Sequence, residues 1–80
     1  MNIEPLKKAI EFCAGISAMS IKVNEKSNVI SMWLQRKKIP SEKVILVSQA
    51  TNYQVTPHEL RPDLYPHPQD GLPEHLRTAA

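Results

Sequence analysis

The chain has 80 residues, 41% hydrophobic but only 5% aromatic, with a formal net charge of +2 at pH 7. That length allows one domain at most, with a core of aliphatic side chains around a single tryptophan. The lone Cys13 rules out an internal disulfide framework, no apolar run approaches the roughly 18 residues of a membrane span, and no signal-peptide pattern opens the chain, so a cytoplasmic protein is expected.

Leu6, Ala9, Ile10 and Cys13 recur at helical spacing, with Lys7, Lys8 and Glu11 on the opposite face. They predict a helix over 4–13, opened by Asn2 or by Glu4-Pro5 and stopped by Gly15. Ser17 is then expected to cap a short second helix whose inward residues are Ala18, Ile21 and Val23. Asn24 follows, and asparagine enters the left-handed region at little cost, so it predicts a tight turn. Residues 26–34 read as a third helix with Val29, Ile30, Trp33 and Leu34 on one buried stripe. Its other face carries Lys26, Ser27, Asn28, Ser31, Met32 and Gln35.

The basic run Arg36-Lys37-Lys38 leads into Ile39-Pro40, where the proline ends any helix. Ser41 is expected to cap a fourth, strongly apolar helix containing Val44, Ile45, Leu46, Val47 and Ala50, closed by Asn52. Thr56-Pro57-His58-Glu59 is a capping-box pattern with room for a single helical turn, about 57–60. Beyond it, prolines at 62, 66, 68 and 73 and sparse apolar content predict a disordered tail. The expected fold is therefore all-α: four or five short helices in a domain over 1–65, then a tail over 66–80. Its core is expected to include Ile10, Ala18, Ile30, Trp33, Leu34, Val44 and Val47.

Charge is unevenly spread. Lys22, Lys26, Arg36, Lys37, Lys38 and Lys43 face only Glu25 and Glu42 between residues 22 and 43, whereas acidic residues prevail elsewhere. By itself such a run is a solvated face; around a groove-reading helix it becomes a polyanion surface. A B-form major groove admits one helix, and residues near that helix's N-terminal end reach base edges best. Lys26, Ser27, Asn28, Ser31 and Met32 are the candidate base readers: Asn pairs with adenine, Lys with guanine acceptors, and Met touches a thymine methyl. Ser17, Lys22, Gln35, Arg36, Lys37, Lys38 and Lys43 are the candidate phosphate contacts.

Three stretches resemble the YdaS-type Cro-like regulators of prophages. They are Ser17 to Leu34, the basic turn with Ile39-Pro40, and above all Val55-Thr56-Pro57-His58-Glu59-Leu60-Arg61-Pro62-Asp63-Leu64-Tyr65-Pro66. The resemblance covers about residues 4–66 and includes a Ser-x-Trp-(Leu/Val)-x-x-(Arg/Lys) ending of the third helix, here Ser31 to Lys37. It implies a helix-turn-helix domain of the lambda repressor type (the Cro/CI family). It also implies a bacterial repressor on operator DNA, nucleoid-associated when bound, with some members called toxins or antitoxins from their gene neighbourhood. This chain departs from the pattern at Asn24 for a turn glycine, at Glu25 for an apolar residue, at Lys26 for a Ser/Thr cap, and at Asn52-Tyr53 for a Gly-Gly pair.

Other chemistries find little support. His58, His67 and His75 lack metal-ligand spacing, so no metal is expected. No histidine precedes residue 58 to activate Cys13, which reads as a small buried hydrophobe. There is no carboxylate pair, nucleophile–base pair or phosphate loop, so neither an enzyme nor a cofactor is expected. Arg61 and Asp63 are expected to tie a turn while Leu60, Leu64 and Tyr65 pack on the core. The expected partner is double-stranded operator DNA, with a homodimer formed either in solution or only there. The alternative is an interaction module of a toxin–antitoxin type system, gripping a protein partner through the tail.

Overall fold

The computed structural model describes residues 3–77. Five α-helices follow in order, α1 Glu4–Phe12, α2 Ile16–Lys22, α3 Ser27–Arg36, α4 Ser41–Ala50 and α5 Pro57–Leu60, then a 3-10 turn at Glu74–Leu76. No strand occurs among the described residues. The small all-helical domain expected from the periodicity is present.

Four of the connections close alike. After α1, α2, α3 and α4 the chain turns through a left-handed residue that is not glycine: Ala14, Asn24, Lys37 and Asn52. Each turn is sealed by a backbone N–H reaching five residues back, as in Gly15 to Ile10 (2.9 Å), Glu25 to Ser20 (3.0 Å), Lys38 to Trp33 (3.1 Å) and Tyr53 to Ser48 (2.9 Å). These bonds satisfy carbonyls that would otherwise be orphaned at the helix ends. Asn24 and Asn52 act as expected. After α1, however, the first left-handed residue is Ala14 (φ 69°), one position before Gly15 (φ 119°). Asn52 and Tyr53, standing where the resembling family carries Gly-Gly, are both left-handed (φ 54° and 61°).

Ala14 is exposed, so its replacement disturbs no packing. A left-handed L-residue costs about 1–2 kcal/mol, of which glycine's larger unfolded-state entropy returns about half. Ala14→Gly should therefore stabilise the domain by about 0.5–1 kcal/mol, read as a higher urea midpoint at unchanged m-value.

The core joins Leu6 and Ala9 of α1, Met19 and Val23 around α2, Ile30 and Trp33 of α3, Ile39 of the α3–α4 connection, Val44 and Val47 of α4, and Val55 and Leu60. Cys13 is buried with them, its thiol aimed at the Ala50 carbonyl (3.7 Å). Ile10 and Leu34 pack against the cluster half-buried. The inward stripe of α2 differs from expectation. Helix α2 starts at Ile16 from Gly15, so Ser17 lies inside the first turn and caps nothing. The buried face then runs through Ile16, Met19 and Val23, leaving Ala18 half-buried outside the cluster and Ile21 82% exposed. Ser41 likewise is the first helical residue of α4 after Pro40, with no side-chain cap.

Two polar devices sit inside. Ser48 Oγ donates to the Val55 carbonyl (2.7 Å) and Thr51 Oγ1 accepts from the Val55 amide (3.1 Å), tying the segment after α4 back onto it. Both side chains are fully buried and satisfied. At α5 Thr56 caps the helix as expected, its Oγ1 accepting from the Glu59 amide (3.2 Å) and donating to Glu59 Oε1 (3.4 Å).

The segment expected to be a disordered tail is described as far as Arg77, and its last residues, 78–80, lie outside the described range. Residues 66–77 form turns that add nothing to the buried core. Gly71 lies so close to Pro57 and Tyr65 that a Cβ there would come within 2.9 Å of either side chain. Leu64, expected on the core, is 44% exposed, whereas Tyr65 packs against it.

Candidate nucleic-acid interface

Helices α2 and α3 pack against one another, and α4 supports α2 from behind. The α2–α3 turn is held from α4 by Lys43, whose Nζ donates to the Val23 carbonyl (3.3 Å) and pairs with Glu25 (3.8 Å). Glu25 also accepts from the Lys26 amide (3.2 Å), just ahead of α3. Only 18% of the Lys43 side chain is exposed, so this candidate phosphate ligand is turned into the fold. Sequence spacing could not reveal this, because Val23 and Glu25 meet Lys43 only through the packing of α4.

The amphipathicity of α3 places Ile30 and Trp33 in the core and turns Ser27, Asn28, Met32 and Gln35 outward, with Ser31 at the half-buried margin. Lys26, in extended conformation, precedes the helix, and no side chain caps its first turn. The Val29 and Ile30 amides bond back to the Lys26 carbonyl (3.0 and 3.2 Å), and the N–H groups ahead of them, at the positive end of the helix dipole, suit an acceptor. At the far end Arg36, Lys37 and Lys38 are exposed together around the left-handed turn at Lys37. Arg36 and Lys38 rim a groove of about 340 Å³ whose floor is Val29, Met32, Trp33 and Pro40.

The remaining candidates are not all part of this cluster. Lys26 borders a shallow depression with Ser20, Ile21, Asn24 and Glu25, alongside the α2–α3 turn. Ser17 is exposed on α2. Lys22 is exposed too, but it lines a depression with Phe12, Leu46, Gln49, Ala50 and Asn52, apart from the α3 groups.

The closing segment contributes a feature the sequence suggested only in part. Arg61 Nε and Nη2 donate to Asp63 Oδ1 (2.9 Å) and Oδ2 (2.7 Å), which is the expected tie across the turn. Its Nη1 additionally donates to the Ile39 carbonyl, directly behind the basic run. The bond from Arg61 holds the Asp63 carboxyl down to about 2. A depressed folded-state value means that this stabilisation is complete above the unfolded carboxyl's pKa and is lost as pH falls through the folded one. Acid titration should thus weaken the fold between about pH 4 and 2, and Asp63→Asn should remove that part of the dependence in pH-resolved urea melts.

Among the described residues, no group of three His, Cys, Asp or Glu side chains is placed to hold a metal ion. None of the described helices is long and apolar enough to cross a membrane.

Comparison with known families matches residues 6–69 to the family described as bacterial toxin YdaS. No curated protein and no solved structure matches the chain.

Proposed function

We propose that this chain, which belongs to the bacterial toxin YdaS family, is a sequence-specific DNA-binding regulator that lays α3 in the major groove of an operator and represses by occupying it. The observation that carries the proposal is the composition of the α3 surface. A polar, exposed helix face (Ser27, Asn28 and Met32, with Ser31 at its margin) lies between Lys26 and the exposed run Arg36–Lys38, while the opposite face is anchored in the core. Short hydrogen-bonding side chains suit base edges, and flanking cations suit the phosphates to either side. On this reading the protein is a Cro/CI-type binding protein rather than an enzyme, acting in the cytoplasm at the nucleoid. It needs neither cofactor nor metal, and two copies meet on paired half-sites.

The base readers in this proposal are Asn28, Ser31 and Met32, with Ser27 and Lys26 at the helix start. The phosphate contacts are Arg36, Lys37, Lys38 and Gln35, with Ser17 on α2. Lys22 and Lys43 are left out, the first for its separate position and the second for its bonds to Val23 and Glu25.

The test is a titration of random and selected duplexes at several salt concentrations. A selected site bound about a thousandfold tighter than random DNA, with a steep salt slope, is the expected result. Weak binding without preference at any salt would remove the DNA reading.

A second reading, an interaction module for a protein partner, draws on Leu64 and Leu76, which are 44% and 42% exposed in the closing segment. Deleting residues 67–80 separates the two. A regulator keeps its DNA affinity, and an interaction module loses its partner.

A further inference from the structure

Resting on the DNA-binding reading, we propose that Arg61 is a positioning residue of the interface, acting through Ile39 to hold the basic turn Arg36–Lys38 in the shape that meets the phosphate backbone. The turn is fixed on its upstream side by α3 itself: the Lys37 amide donates to Leu34 (3.3 Å) and the Lys38 amide to Trp33 (3.1 Å). On its downstream side Ile39 is fully buried, and its carbonyl accepts from Arg61 Nη1, a residue 22 positions later in the chain. Arg36, Lys37, Lys38, Arg61, Pro62 and Asp63 line one depression of about 390 Å³.

Stability alone does not call for an arginine there. A neutral donor would satisfy the Ile39 carbonyl. A guanidinium only 7% exposed instead brings a desolvation cost that Asp63 must offset. What the planar fork adds is orientation. With Nε and Nη2 fixed on the two oxygens of Asp63, Nη1 has one direction left, and it points at Ile39. A turn of mutually repelling cations held in this way loses less freedom when it docks on a polyanion.

The experiment uses Arg61→Lys in the full chain, which keeps the charge but cannot form the fork. Two quantities are read: amide exchange at Lys37 and Lys38, and affinity against salt on a duplex selected with the parent. Exchange should quicken at those two amides while that of the α1 core amides is unchanged. The salt slope should become shallower by about one to two units although Arg36, Lys37 and Lys38 are all retained. A folded variant with the parental slope overturns the proposal and leaves Arg61 a structural group. If Arg61→Lys does not fold, Asp63→Asn serves, since the Asp63 side chain is 60% exposed. It should also quicken exchange at Lys37 and Lys38, and parental exchange there would overturn the proposal. A parent that binds no duplex at low salt would overturn the DNA reading itself, an outcome distinct from either variant result.

Discussion

Trp33→Ala is expected to lower the melting temperature by roughly 12–40 °C. The indole is 4% exposed and belongs to the same buried cluster as Leu6, Ile30, Ile39 and Leu60. Removing a buried tryptophan side chain costs about 3–5 kcal/mol, through lost transfer energy and the cavity left behind. A domain of this size holds on the order of 4–12 kcal/mol in total, so the loss takes from about a quarter of its stability to all of it. Circular dichroism against temperature gives the answer. An unchanged melting curve would mean that the indole packs on nothing that matters, contrary to its burial. Trp33→Phe should fall between the two, because a smaller ring leaves a smaller void.

Replacing Asn28 and Ser31 together by alanine should do the reverse, weakening specific DNA binding while leaving the fold intact. Asn28 is exposed and Ser31 half-buried, and neither belongs to the core. Alanine is also the better helix former, so the melting temperature should hold or rise slightly. A bidentate base contact contributes about 1–3 kcal/mol of discrimination, so the selected duplex should bind roughly ten- to a hundredfold more weakly while random DNA binds as before. The salt slope should not move, since neither side chain is assigned a phosphate. Arg36→Ala gives the contrasting pattern: weaker binding to every sequence and a slope shallower by about one unit. Unchanged affinity in the Asn28/Ser31 variant would withdraw α3 as the reading element.

Local signals made much of the molecule legible in advance. Apolar spacing identified the helices and the inward stripe of α3, because Val29, Ile30, Trp33 and Leu34 repeat with the helical period and lack polar competitors. Thr56 and Glu59 announced the cap of α5 three residues apart, Asn24 announced its left-handed turn by residue type, and Asn52 the end of α4. Signals were weaker where chemistry permits more than one arrangement. A serine near a glycine can cap a helix or enter it, and here the cap fell two residues before Ser17, at Gly15. The face of this seven-residue helix that packs inward runs through Ile16, Met19 and Val23, and not through Ala18 and Ile21.

The sequence by itself determined the parts that depend on neighbours within one or two turns: five short helices, their left-handed closures at Asn24 and Asn52, and the polar face of α3 ending in a basic run. Only the tertiary structure decided which charges remain available to a partner. Lys43 and Arg36 look alike as isolated cations in the chain, yet one is spent on Val23 and Glu25 while the other stands exposed. Arg61 was legible as the partner of Asp63, two residues away, but its bond to Ile39 spans 22. The reason is physical. Helix periodicity and capping are set by bonds between near neighbours, which composition and spacing record. The destination of a long charged side chain depends on which distant carbonyl or carboxylate the packed helices bring within about 3 Å of it, and no local pattern specifies that.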